Sequence, residues 1–221
     1  MTALIYYFRK DIVCIAMDSL ALDEDNHPLK YVSKFILLPH LHCIICGTGA
    51  LQFIIKWFTF VQESLVFKNI VDLNAHVQGH LKTIADDLNL STDLTSTIYH
   101  FGLDKLNNEI VGYAYRSKNY FESESLIHSL GIKPDYKEVT QIITEIISQN
   151  GIKRGMISLI TKLKEHDDKL DLDQKLGIGG EIHFAILNTN RQYCVETIHQ
   201  FSDYEQIFTE MLENKNVVRT R

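Results

Sequence analysis

Apolar positions come in unbroken bursts over the first fifty residues, then switch at Ala50 to intervals of three and four. From Ala3 to Phe8 every residue is apolar, β-branched or aromatic, which is the composition of a strand. Arg9-Lys10-Asp11 interrupts, and "IVCIAMD" runs on to Asp18, so the two bursts predict a hairpin with a short polar turn. With a turn of two or three residues, Thr2 falls opposite Met17 or Asp18. The segment "ALDEDNHPLKY" is polar and contains Pro28, and predicts a loop within one domain. "KFILLP" (34–39) and "LHCIICG" (41–47) predict a second strand pair.

Beyond Ala50, residues Phe53, Ile54, Trp57, Val61 and Leu65 keep helical spacing, and a second helix is predicted over about 70–88. Strands return at 96–102 and 109–117. A helix follows Pro134 and Asp135, with Val139, Ile142, Ile143, Ile146 and Ile147 as its stripe; Asp135 and Glu138 have the spacing of a cap. Another helix starts near 155, two strands follow ("EIHFAIL" and "QYCVETI"), and an amphipathic helix covers 203–214. Strand hairpins alternating with helix pairs predict an α+β fold, a four-layer αββα sandwich of two antiparallel sheets, as one domain over 1–221.

Composition narrows the function more than the fold. The 221 residues are 45% hydrophobic and 23% charged, near the averages for globular proteins. A net charge of -6 argues against nucleic acid as a partner and against anionic membrane surfaces. Lys56 breaks the best apolar run short of a membrane helix, and the first residues lack a signal-peptide pattern, so the expected location is cytoplasmic. Cys43 and Cys46 form a C-x-x-C, yet three positions apart on a strand they point to opposite faces, so packing is favoured over redox or zinc chemistry.

The chemistry centres on the first strand. A neutral threonine is a poor nucleophile and needs an adjacent base. If Met1 is removed, Thr2 acquires a free α-amine with a reference pKa near ~8, and one residue then carries both nucleophile and base. That use requires an ordered N-terminus, which a strand beginning at Ala3 supplies. Asp18 is brought near by the hairpin, and Lys34, at the start of the next strand, can emerge at the same sheet end. "CGTGA" (46–50) joins a strand to a helix, where backbone N–H groups can face an oxyanion. Each piece also has an ordinary reading: a hairpin cap for Asp18, a solvated strand end for Lys34, a tight turn for Gly47 and Gly49.

Thr2, the sixteen-residue step to Asp18 in "IAMDS", the equal step to Lys34 in "KF", and "CGTGA" together resemble the pattern of proteasome β-subunits and of bacterial proteasome-like threonine peptidases. "GIGGEIHFAILNTN" (177–190) is similar to a Gly-Gly strand segment late in those chains. The resemblance spans nearly the whole chain and implies the αββα sandwich of N-terminal-nucleophile hydrolases. It implies Thr2 as nucleophile, Asp18 and Lys34 as electrostatic partners, and the amide of Gly47 or Gly49 in an oxyanion hole. It also implies a peptide or amide substrate, a homo-oligomer, room for an unfoldase partner, and no metal or organic cofactor.

The pattern is incomplete. Ile132 stands where that family has a serine before its third helix, and Lys175 and Ile178 stand where it has the aspartate and serine of D-x-x-S-G-G. Asp171, Asp173 and Ser129 are the residues that could compensate. The expected function is therefore peptide or amide hydrolysis through a Thr2 acyl-enzyme. The alternatives are a catalytically silent assembly or binding subunit of the same fold, and amidase or ligase activity on a specialised substrate. The substrate pocket is expected near 20–22, 31–35 and 45–53.

Other features are weaker. His76 and His80 share a helix face but lack the Glu of an H-E-x-x-H and a third ligand. His40 and His42 alternate at a strand start. The acidic "DEDNH" (23–27) lacks the EF-hand spacing and is expected to be a solvated loop, as is the mixed-sign "EHDDKLDLDQK" (165–175). The helix at 50–65 is apolar nearly all round, so its second side should meet either the neighbouring helix or a partner subunit.

Overall fold

In the computed structural model, residues 2–23, 25–91, 95–171 and 174–219 are described, with side chains as far as Glu213. Met1, whose removal the sequence suggests, lies outside these residues, as do Glu24 and Asp173. Among the described residues, twelve strands and five helices follow, beginning in the order β1 (Leu4–Phe8), β2 (Ile12–Asp18), β3 (Leu20–Leu22), β4 (Pro28–Tyr31), β5 (Phe35–Leu38), β6 (Cys43–Thr48), α1 (Leu51–Ser64) and α2 (Ile70–Asp87). Then come β7 (Thr97–Asp104), β8 (Glu109–Arg116), β9 (Ser123–Ser125), β10 (Leu130–Lys133), α3 (Lys137–Asn150), α4 (Ile152–Asp167), β11 (Glu181–Asn188), β12 (Tyr193–Gln200) and α5 (Tyr204–Arg219).

Two five-stranded antiparallel sheets stack, one in the order β10-β1-β2-β11-β12 and the other β5-β6-β7-β8-β9. Strand periodicity decides what each residue meets. Leu4 and Phe8 of β1, with Val13, Ile15 and Met17 of β2, face between the sheets against Ile44, Cys46, Tyr99 and Phe101. Ala3, Ile5, Cys14 and Ala16 take the opposite face and pack under Met156, Leu159 and Leu163 of α4. Cys43 and Ile45 pack outward beneath α1 and α2, so the two cysteines of the C-x-x-C serve different cores. The result is the αββα sandwich. No helix among the described residues is long and apolar enough to cross a membrane.

The second side of α1 is covered by α2. Phe60 lies 4.7 Å from the His80 ring, and Phe67 stacks on His76 at 5.4 Å, so the paired histidines of α2 are engaged with aromatic rings. Trp57 of α1 donates its indole N–H to His100 Nε2 at 3.0 Å, deep beneath the helix pair. Burial without a counter-charge pulls the His100 pKa from 6.5 down to about 3.

The sequence reading and the structure differ at a few joints. The loop predicted at 21–31 contains a short hairpin, β3–β4, on which α5 packs; Tyr31 stacks on Tyr204 at 4.4 Å. Its strands are too short to show alternation, and Pro28 sits at a strand start where no N–H is required. His40 and His42 fall in a 3-10 turn and its left-handed cap rather than in a strand. Asp135 does not cap α3 through backbone donors. Tyr136 holds the cap position, and the Asp135 carboxylate accepts from the Thr140 hydroxyl at 2.7 Å.

Candidate functional site

The β1–β2 hairpin sets the geometry. Leu4 pairs with Met17 and Phe8 with Val13, and Arg9 N–H bonds the Ile12 carbonyl at 2.8 Å. Lys10-Asp11 is thus a two-residue turn, and the register continues to place Ala3 against Asp18, with Thr2 one residue further on. That is a shift from the expected Met17 or Asp18. It is corroborated by a reciprocal pair of bonds: Asp18 N–H donates to the Ala3 carbonyl at 3.4 Å, and Ala3 N–H donates to Asp18 Oδ1 at 2.8 Å. The residue after Thr2 is clamped by the side chain it was expected to approach.

Asp18 is fully buried and Lys34 is 2% exposed. The Lys34 ammonium bonds both carboxylate oxygens, at 3.0 and 2.9 Å. Gly179 N–H adds a bond of 3.3 Å to Asp18 Oδ2. Burial lowers the Lys34 pKa from its ordinary 10.5, while the adjacent carboxylate acts to raise it. A lysine moved in that direction gives up a proton more readily than a solvated one.

Gly47 and Gly49 part company. Gly47 N–H is committed to the sheet, donating to the Lys34 carbonyl at 3.3 Å. Gly49 follows the strand at φ 108, and a Cβ there would lie 2.6 Å from Ser96 Cα, so only glycine fits. Its N–H has no acceptor among the described residues, and the next N–H, of Ala50, is taken by the Ser96 hydroxyl at 3.1 Å.

A cavity of about 850 Å³ is bordered by Thr2, Lys34 and Gly49 together. Its walls come from the β3–β4 hairpin (Ala21, Leu22, Leu29), from the start of α1 (Ala50 to Ile54) and from Leu88, Asn89, Leu90 and Ser91 at the end of α2. The last group lies outside the ranges expected from sequence. Thr2 is 4% exposed, and its side chain has no hydrogen bond to another described residue. A buried hydroxyl, the lysine of a buried ion pair and an undirected N–H therefore border one space large enough for a peptide side chain.

Of the residues proposed as compensation, the two that are described, Ser129 and Asp171, do not arrive. Ser129 sits at the far end of β1, where its carbonyl accepts from Phe8 N–H at 2.8 Å, and Asp171 is exposed. Ile132 and Ile178 are apolar core residues beneath α3 and α4. A different carboxylate supports the glycine segment. Asp167, at the end of α4 and 1% exposed, accepts N–H bonds from Leu176 at 2.8 Å, Gly177 at 2.9 Å and Ile178 at 3.2 Å. The expectation that 165–175 is all solvated fails at this residue. An acidic side chain in the last turn of a helix opposes the helix dipole, and that was the available sign of a buried role. Ser19 completes the support: its hydroxyl accepts from Glu181 N–H at 2.8 Å. A Cβ on Gly180 (φ 80) would strike that hydroxyl and stand 2.8 Å from the Tyr31 ring.

No protein-family model matches the chain, and no curated protein matches it. Solved structures do. Anbu (ancestral beta-subunit) from Yersinia bercovieri matches with a TM-score of 0.62 at 12% identity, covering 99% of this chain and 97% of that one. An Anbu (Gly-1) mutant from Hyphomicrobium sp. strain MC1 gives 0.63 at 12%, covering 100% and 96%, and Anbu from the same strain gives 0.60 at 11%, covering 100% and 96%. At these identities the likeness carries the fold, which is proteasome-like. The findings also correct the resemblance drawn from the motifs. No model of the proteasome β-subunits or of the bacterial threonine peptidases matches, and the neighbouring structures are Anbu proteins.

Proposed function

We propose that the chain is an N-terminal threonine hydrolase that cleaves peptide or amide bonds once Met1 has been removed. The observation that carries this reading is the fully buried Asp18–Lys34 pair beside a cavity that Thr2 and Gly49 also border. A buried ion pair is a costly way to hold a fold together, and an apolar pair often does so as well or better. Its position beside an unpartnered hydroxyl gives it a chemical use.

In this reading the Thr2 hydroxyl adds to the substrate carbonyl while the Thr2 α-amine takes its proton. An Oγ–C bond forms and the C–N bond breaks, with the leaving amine receiving the proton. Water then attacks the ester, returning the hydroxyl and releasing the acid. Lys34 lowers the energy of the ionised hydroxyl, Asp18 keeps Lys34 and the first strand in place, and Gly49 N–H donates to the carbonyl oxygen as it becomes negative. The protein works as a homo-oligomer, a reading supported by its likeness to Anbu, an ancestral beta-subunit, and tested by light scattering in solution.

Release of amine from a panel of fluorogenic peptide amides tests the hydrolase. Turnover by the Met1-free protein that disappears in Thr2→Ala supports it; turnover surviving in Thr2→Ala, or none from any amide, overturns it. The competing reading is a silent assembly or binding subunit. It is favoured by Ile132 and Ile178, which put buried apolar groups where the motif calls for hydroxyls.

A further inference from the structure

The acidic turn at 23–27, read from sequence as a solvated loop, borders the same cavity as Thr2. Asp23 and Asp25 lie at the tip of the β3–β4 hairpin, and both line the space. Asp23 is partly engaged, since its Oδ1 accepts the N–H groups of Asp25 at 3.0 Å and His27 at 2.8 Å and stands 3.8 Å from His27 Nδ1. The Asp25 carboxylate meets no cation and no donor among the described residues. The only cation bordering the cavity among those residues is Lys34, and both oxygens of Asp18 already neutralise it. The space therefore combines apolar walls at Leu22, Leu29 and Leu90 with uncompensated negative charge. Acidic side chains on a turn would not by themselves mark a site. Here the independent mark is Thr2, a residue 4% exposed whose hydroxyl has no partner among the described residues, bordering the same cavity.

We propose that this cavity selects substrates that present a long cationic side chain, lysine or arginine, beside the bond to be cleaved. Such a side chain is an apolar stem with a charge at its end, so the stem covers the leucines while the head meets Asp25 and the free oxygen of Asp23. A glutamate in the same position would bring like charges together, and that repulsion contributes to selection as much as the attraction does.

The inference rests on the Thr2 reading, and one experiment separates the two. Three peptide vinyl sulfones that differ only in a lysine, leucine or glutamate next to the electrophile are incubated with the Met1-free protein. Labelling rates are read by intact mass, with Thr2→Ala as the control. The lysine probe should label roughly 10-fold faster than the glutamate probe at low salt, a ratio that narrows toward unity at about 0.5 M salt. Asp25→Asn, at an exposed position whose side chain meets no partner among the described residues, should cut the lysine-to-glutamate ratio by about 3-fold; an unchanged ratio overturns the inference. Thr2-dependent labelling that ignores charge, or that is fastest for leucine, leaves the hydrolase standing and overturns this inference alone. Absence of labelling by all three defeats the Thr2 reading and this inference with it.

Discussion

Asp18 and Asp167 are 0% and 1% exposed and grip the same glycine-bearing segment from different elements, one from the end of β2 and the other from the end of α4. Asp167 does so with no cation among the described residues: three backbone N–H groups converge on it, and Tyr136 adds its hydroxyl at 3.4 Å. Asp18 has backbone donors too, from Ala3 and Gly179, yet it also binds Lys34. Convergent N–H groups suffice to satisfy a carboxylate in the interior, as Asp167 illustrates. Lys34 is therefore more than the segment requires, and the ammonium is held at a position where burial opposes its charge. In the proposed reading, the difference between the two aspartates separates a brace from a group placed for chemistry.

The contrast is broken most severely by removing the cation. Lys34→Met leaves a buried, uncompensated carboxylate and should cost ~3–5 kcal/mol in denaturant unfolding, with part of the loss recovered in Asp18→Asn/Lys34→Met. A loss under ~1 kcal/mol would show that water or another group already compensates Asp18. Asp167→Asn should cost less, about 1–3 kcal/mol, because an amide can still accept from some of the three donors. In that variant the Thr2 labelling rate, measured on folded protein, should stay in the same order of magnitude as wild type. Equal damage to labelling from both variants would dissolve the distinction.

A third buried titratable group sharpens the point on pH. His100 has Trp57 on one nitrogen, no partner on the other, and a pKa near 3 against 6.5 when exposed. Between those values the unfolded chain binds a proton that the folded chain refuses, so its contribution is complete above pH 6.5 and is lost as pH falls toward 3. The expected slope is at most ~1.4 kcal/mol per pH unit from this group. His100→Gln should flatten that part of a stability–pH curve; an unchanged slope would assign it to other groups.

Much of the fold could be read from periodicity because the sandwich buries each strand's faces in different cores. The run Ala3–Phe8 and the switch to helical spacing at Ala50 located β1 and α1 almost to the residue. Features without periodicity did not show. β3 and β4 are three and four residues long and β9 is exposed throughout, so no alternation betrays them. For the site, Thr2, Asp18 and Lys34 stood out through spacing along the chain, and the structure pairs Lys34 with Asp18 across the two sheets and sets Lys34 and Thr2 on one cavity. Gly47 and Gly49 could not be separated until the N–H of the first was found in the ladder. Asp167 left only the sign of an acidic side chain in a helix's last turn, because its partners are backbone groups nine to eleven residues ahead, which leave no pattern in side chains. The acidic turn was visible as composition, but only the folded hairpin reveals that it faces a cavity.

The central claim is that Thr2 is a live nucleophile served by the Asp18–Lys34 pair. Its most direct test is the intact mass of the protein expressed from its own Met1 without a tag, before and after a threonine-directed electrophile. The account predicts loss of one methionine and a single adduct that is absent in Thr2→Ala. Retained Met1 with no adduct would contradict it, and would leave the buried ion pair as part of a fold used for binding alone.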